Sequence, residues 1–256
     1  MSHVRPRRVS LLGGEVDLVT PADVFAFTTD AIGRGAKAIV ANHNLHSLAL
    51  IRRSAEMRAF YAKADLIEAD GTPLIAWGRL LGRGLTAAHR CTYLDFRESF
   101  WALVQQNGWK VFYLGGAPTV AAQGAAAIRK RWPGVQIETA DGFFDVSGAE
   151  NARLVDRINA WSPDVIFVGM GMPRQERWIL QNYGRIQRGV LLPIGAAFDY
   201  EAGIVPTPPR WTGRLGLEWL FRFFAEPRRL FVRYFLEPWM LLPAFAADLR
   251  SALRPA

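Results

Sequence analysis

Cysteine is nearly absent. The 256 residues hold one, Cys91, so an intramolecular disulfide framework and a multi-cysteine zinc site are both excluded. Histidine is scarce as well: His3, His43, His46 and His89 leave little material for a histidine-based metal centre. No uncharged apolar run approaches the roughly 20 residues that span a bilayer. The first apolar stretch, Val9 to Leu12, follows a basic N-terminus but stops at Gly13-Gly14, too short for a signal-peptide core. The chain is therefore expected to face the cytosol, in contact with a membrane surface but not crossing it. Internal repeats and low-complexity tracts are also missing.

Half of the residues are apolar and 21% are charged, which excludes a disordered chain and provides for a sizeable core. The net charge is +8, and 27 of the 31 cations are arginine. Two readings stand for that bias. Arginine recognises phosphates and carboxylates bidentately, and its use in place of lysine also follows genome composition. Nucleic acid is not expected, because the basic residues gather in an aromatic-rich tail and not over strand faces.

Two zones divide the sequence. Over residues 1–204, apolar runs (Ala38–Ala41, Leu66–Ala69, Lys110–Leu114, Gln136–Thr139, Val165–Val168 and Val190–Ile194) alternate with helical patterns (Leu45–Ala62, Leu74–Leu81, Thr92–Gln106, Val120–Trp132 and Ala149–Trp161). That alternation predicts an α/β fold, a Rossmann-like parallel sheet with helices on both faces. Residues 205–256 open with Pro206, Pro208 and Pro209 and carry no strand signal. They hold eight arginines against four acids, interleaved with aromatics that include Trp211, Trp219, Trp239, Phe221, Phe223, Phe224, Phe231 and Phe235. This composition suits a helical appendage at a lipid surface. It equally suits a subdomain that packs its rings on the core, and both can hold at once.

In a parallel sheet, ligands bind beyond the carboxyl ends of the strands. Asn42 and Asn44 follow the first run, where they either cap the next helix or bind ligand hydroxyls. Asp70-Gly71 follows the second, placing a carboxylate either as a general base or as a helix N-cap. Three small-residue loops, at Gly115-Gly116, Gly169-Met170-Gly171 and Gly195-Ala196-Ala197-Phe198-Asp199, favour a nucleotide-type ligand near helix N-termini. Gln175 and Glu176 follow the second of these loops and are expected to point into the crevice. A dehydrogenase would show G-x-G-x-x-G after the first strand, which is missing. Asp-x-Asp, a common metal–diphosphate clamp, is missing too, with Glu68-Ala69-Asp70 nearest to it. Ser47, Ser54 and Ser99 lack the setting of a nucleophile elbow. An enzyme built this way is expected to work without a metal or other cofactor.

Taken together, the loops resemble the WecG/TagA/CpsF family of bacterial glycosyltransferases (glycosyltransferase family 26) from about Ala38 to Tyr234. The most specific block is Pro163-Asp164-Val165-Ile166-Phe167-Val168-Gly169-Met170-Gly171-Met172-Pro173-Arg174-Gln175-Glu176-Arg177-Trp178, similar to the family's PD-hhhVGhGxPxQExW. Gly195 to Asp199, Gly216-Leu217-Glu218-Trp219-Leu220-Phe221-Arg222, Glu226-Pro227-Arg228-Arg229-Leu230 and Arg233-Tyr234 follow in order.

The resemblance implies transfer of a sugar from a UDP-sugar to a polyprenyl-diphosphate-linked saccharide in cell-surface polysaccharide synthesis, with inversion to a β-linkage. It also implies an appendage that meets the cytoplasmic membrane face and helps complete the active site. Asp70 matches the family's catalytic base. Arg90 and Asp95 match its R-x-x-G-x-D segment, with Tyr93 in the place of Gly. Asn44 matches the Asn of its T-x-N loop, with Asn42 in the place of Thr. Gly115, Gly116, Gly169, Gly171, Gln175 and Glu176 match its nucleotide-sugar pocket, to which Asp199 is added here. Arg90 is the first candidate to stabilise the leaving diphosphate, with Arg214 and Arg222 next. Arg229 and Arg233 are expected on one helix face toward lipid phosphate or the acceptor's diphosphate, a solvated basic face being the alternative. N-acetylmannosamine, its uronic acid and glucose all fit as donor sugars. The competing reading is an inactive, membrane-associated nucleotide-sugar-binding protein.

Overall fold

Six short runs, rich in apolar residues except at one edge strand, are buried on both sides over most of their length, as strands enclosed by helices require. In the computed structural model, which describes residues 6–253, these runs are β3 (Lys37–His43), β4 (Leu66–Ala69), β5 (Lys110–Gly115), β6 (Gln136–Ala140), β7 (Val165–Gly169) and β8 (Gly189–Pro193). They form one parallel sheet in the order β4-β3-β8-β7-β5-β6. The α/β class follows directly. Observed strand ends differ from the expected ones by no more than two residues, and β8 starts one residue early, at Gly189.

Alternate residues of each strand feed two cores. Ile39, Ala41, Ile67, Leu114, Val168 and Leu191 face one side, under α2 (Leu45–Arg53), α3 (Ala55–Lys63), α7 (Ala149–Trp161) and α8 (Arg174–Asn182). Val40, Leu66, Val111, Phe167, Val190 and Leu192 face the other, under α1 (Pro21–Gly33), α5 (Tyr93–Asn107), α6 (Val120–Arg131) and α9 (Ala197–Glu201). Each buried Val, Leu, Ile or Phe side chain among these contributes about 1.5–3 kcal/mol.

Three features depart from the sequence reading. The expected helix over Leu45–Ala62 is two helices. Ser54 turns to an extended backbone (φ −123°) and its Oγ accepts from Met57 N at 3.2 Å, starting α3 afresh; serine favours a cap over a helix interior. Second, α1 precedes the first expected element, opened by a capping box between Thr20 and Asp23. Third, β1 (Arg8–Leu11) and β2 (Gly14–Asp17) make an antiparallel hairpin. Its tight turn holds Leu12 and Gly13 at φ +53° and +79°, the left-handed pair that two-residue hairpin loops need. Buried Asp17 takes both prongs of Arg8 (2.7 and 2.9 Å) and accepts from Ile67 N at 2.7 Å, which anchors the hairpin beside β4.

Beyond Val205 the chain is helical: α10 (Arg210–Arg214), α11 (Glu218–Ala225), α12 (Pro227–Phe231), a wide turn over Val232–Leu236, a tight one over Glu237–Leu241, and α13 (Leu242–Ala252). It folds back onto the sheet. Thr72 Oγ1 donates to Gly213 O at 3.0 Å, Arg90 pairs with Glu218, and His46 and Arg53 both meet Glu237. Asp248 Oδ2 accepts from Leu12 N (2.8 Å) and Trp77 Nε1 (3.0 Å). Among the described residues, no helix is long and apolar enough to cross a membrane.

Candidate active site

The carboxyl ends of β3, β4 and β8 and the loop after β7 open into one cavity of about 380 Å³, roofed by the tail. That volume suits a small-molecule ligand. Its wall includes Asn42, Asn44, Asp70, Thr92, Gly171 and Gln175 from the core, and Trp219, Arg222, Arg233 and Tyr234 from the tail.

Asp70 leaves the end of β4 with its backbone N–H donating to His43 O at 2.8 Å. Its Oδ1 accepts from Thr92 Oγ1 at 2.9 Å, and its Oδ2 from Asn44 Nδ2 at 3.4 Å. It does not cap the following helix: α4 (Thr72–Leu80) has Gly71 at the cap position, at φ +111°, with no side-chain cap bond. The carboxylate is oriented by two neighbours and faces the cavity. Asn44 does double duty, since its Oδ1 also accepts from Ser47 N at 3.0 Å and caps α2.

Arg90 lies beside the strand end, where Ala69 and Arg90 form a parallel bridge. Its guanidinium joins Asp95 (2.6 Å) to Glu218 of α11, so it ties the core loop to the tail. Asp95 acts through Arg90 and does not line the cavity. Arg222 and Arg233 differ from Arg90: both are part-buried in the wall, and among the described residues neither has a carboxylate within ion-pair distance. Burial and the adjacent Arg222 together lower the Arg233 pKa. Two cations with no close ion pair among the described residues, near Asp70, make a site that an anionic ligand group satisfies. The side chains of Arg214 and Arg229 lie outside the described residues, so the expected Arg229–Arg233 face is not described.

The small-residue loops divide by role. Gly171 lines the cavity. Gly115 and Gly169 do not; they let neighbouring strand ends close up. A Cβ on Gly115 would stand 2.4 Å from Gly169 O, and one on Gly169 2.4 Å from Tyr113 Oη. Gly116 and Asp199 also lie off the wall, Asp199 with its backbone oxygen accepting from Ile204 N and Val205 N. Gln175 holds two loops together, its Oε1 accepting from Gly171 N (3.1 Å) and Gly195 N (3.2 Å). Glu176 does not point into the crevice. It is fully buried behind Gln175, whose Nε2 donates to it at 2.8 Å, and burial raises its carboxyl to about 7.

Several wall residues went unread in the sequence as site residues: Glu68, Thr92, Tyr93, Tyr200 and Tyr234. Thr92 stands two positions past Arg90, and that spacing was its available signal. A second cavity, about 460 Å³, lies between α6, β6 and α7. Its wall mixes Asp141 and Glu150 with Arg153 and Arg157 and contains none of the expected site residues.

The sequence model of the Glycosyl transferase WecG/TagA/CpsF family matches residues 9–254, from the hairpin through the tail. The chain belongs to that family. The match to the family thus takes in both the sheet that carries Asp70 and the segment that carries Arg222 and Arg233. Similar curated proteins include the N-acetylglucosaminyldiphosphoundecaprenol N-acetyl-beta-D-mannosaminyltransferases of Staphylococcus aureus strains COL and MW2. Each is 30% identical over 168 residues, covering 66% of this chain and 64% of the relative. The chain therefore spans under two thirds of the length of the relatives it matches.

Proposed function

We propose that this protein is an inverting glycosyltransferase that moves a sugar from a UDP-sugar to a polyprenyl-diphosphate-linked saccharide. The observation that carries the reading is Asp70, held by Thr92 and Asn44 in a cavity whose tail wall offers two arginines without an ion-paired carboxylate among the described residues. Family membership and the activity named for the relatives support the reaction class and the lipid-diphosphate acceptor.

In this reading Asp70 takes the proton from an acceptor sugar hydroxyl. That oxygen bonds to the donor's anomeric carbon from the face opposite the UDP. The bond from that carbon to the diphosphate oxygen breaks, and UDP leaves with the electron pair. Arg222 and Arg233 meet the charge on the departing diphosphate, a role that fixed cations perform without reorganisation. Arg90 serves through the tail, holding α11 and its arginine over the cavity. We propose that no metal takes part in this step.

The exposed rings and aliphatics of the tail support contact with the cytoplasmic face of a membrane, where the acceptor resides. Phe224 is 73% exposed and Trp239 68%. Arginine-flanked apolar side chains at that density suit an interfacial helix.

The reaction class is tested by product formation from a panel of UDP-sugars with a short polyprenyl-diphosphate-sugar acceptor, with and without EDTA. Turnover of one donor that survives chelation is expected. Tight UDP-sugar binding without turnover of any donor would instead favour the binding-protein reading.

A further inference from the structure

Glu68 on β4 and Asn42 on β3 are direct partners in the parallel register. Their side chains therefore leave the same face of the sheet side by side, at the floor of the cavity. Glu68 is 5% exposed. Each carries a buried oxygen with no hydrogen-bond partner among the described residues, Oε2 of Glu68 and Oδ1 of Asn42. The orientation of the Asn42 amide is fixed, because its Nδ2 donates to Pro193 O at 2.7 Å. Turned over, it would set oxygen against oxygen.

Buried polar atoms are seldom left unpaired, and two adjacent ones in the wall of a ligand-sized cavity mark a place where the ligand supplies the partner. The electrostatic neighbour of Glu68 is Asp70, not a cation, and burial with that neighbour raises the Glu68 carboxyl well above the usual range. That shift favours the protonated form of Glu68, which offers an O–H as well as an oxygen, while Asn42 Oδ1 accepts. A hydroxyl or an amide matches both. A carboxylate would be a third acidic group beside Glu68 and Asp70, since the cavity's arginines come from the tail and from the loop before α5.

We propose that Glu68 and Asn42 form the subsite for a hydroxyl or amide of the donor's sugar ring, restricting the donor to uncharged sugars. This rests on reading the chain as a nucleotide-sugar transferase. The floor is assigned to the donor because a nucleotide sugar enters the cavity whole, whereas a lipid-tethered acceptor reaches Asp70 from the tail side.

Calorimetry on the full chain without acceptor tests the proposal. The probes are UDP, UDP-glucose, UDP-N-acetylmannosamine and the C6-oxidised uronate of each sugar. Wild type is expected to bind the better uncharged donor at least about tenfold tighter than its uronate. Glu68→Gln keeps a donor and an acceptor in place and is expected to hold that ratio within about threefold. Glu68→Leu is expected to weaken the uncharged donor about tenfold or more, with UDP alone unchanged. Because Leu removes a buried carboxyl whose Oε2 has no partner among the described residues, that variant should melt no lower than wild type. An unchanged donor affinity in Glu68→Leu, an equal loss for UDP alone, or a lower Tm overturns the subsite. No binding of any sugar nucleotide by wild type overturns both the subsite and the transferase reading. Turnover is read separately: turnover without Glu68 dependence of donor binding sinks the subsite alone. Glu68-dependent donor preference without turnover sinks the transfer reaction alone.

Discussion

Asp70 sits where a strand ends and a glycine lets the chain turn, and it owes its orientation to Thr92, a residue brought in from the start of α5. Replacing Thr92 with Val removes the hydroxyl that donates to Oδ1 while keeping the shape. The expected result is a loss of roughly tenfold in kcat with little change in KM, a misplacement effect rather than lost binding; equal losses in both would contradict it. Glu176 governs a different property. Its folded carboxyl titrates near 7, against an ordinary value of 4.5, because burial disfavours the charge. The folded protein keeps a proton that the unfolded chain releases between those values, so stability falls as pH rises through that window. The full loss is on the order of 3 kcal/mol. Glu176→Gln should remove this slope, so that its Tm gains on wild type from pH 5 to pH 8; parallel curves would count against the assignment. Asp70, Asn44 and Gly171 were legible in the sequence because each lies in a loop directly after an apolar run. Glu68 and Thr92 were not: Glu68 becomes a wall residue only once the register of β3 with β4 is known, and Thr92 only once its segment is laid beside β4.

At the scale of elements, five of the six sheet strands were legible because each carries an apolar run buried on both faces, and edge strand β6 because it lies between two helical patterns. The hairpin β1–β2 was not, since each strand is four residues long and one end of each is charged. The break at Ser54 was hidden because apolar spacing continues across it. The packing of the tail was equally unreadable: one carboxylate, Asp248, receives a backbone N–H of the hairpin turn and the indole N–H of α4. Asp248→Ala leaves both donors unpaired in a buried setting, at a cost of about 2–3 kcal/mol. Hydrogen exchange should then speed up in α13 and the hairpin, with the central strands β8 and β7 unchanged. Uniform loss of protection across the sheet would mean that the tail and core unfold together.

On the scale of the whole molecule, the cavity exists because a tail rich in arginine and aromatic residues folds over one end of a parallel sheet. The composition change at Val205 was visible in the sequence, and the tail packs only some of its apolar side chains on the core: Leu230 and Leu241 are buried, while Phe224, Trp239 and Leu215 face outward. Trp239→Glu should weaken binding to vesicles containing anionic lipid by about tenfold, from lost apolar burial and added repulsion. Turnover of a short, soluble acceptor should persist. Undiminished vesicle binding would move the lipid contact elsewhere. The central claim, that the Asp70 carboxylate takes the acceptor's proton, is tested most directly by the kcat of Asp70→Asn with a donor that wild type uses. The account predicts a loss of roughly 10²–10⁴-fold, with donor affinity kept. Turnover within a few-fold of wild type would contradict it.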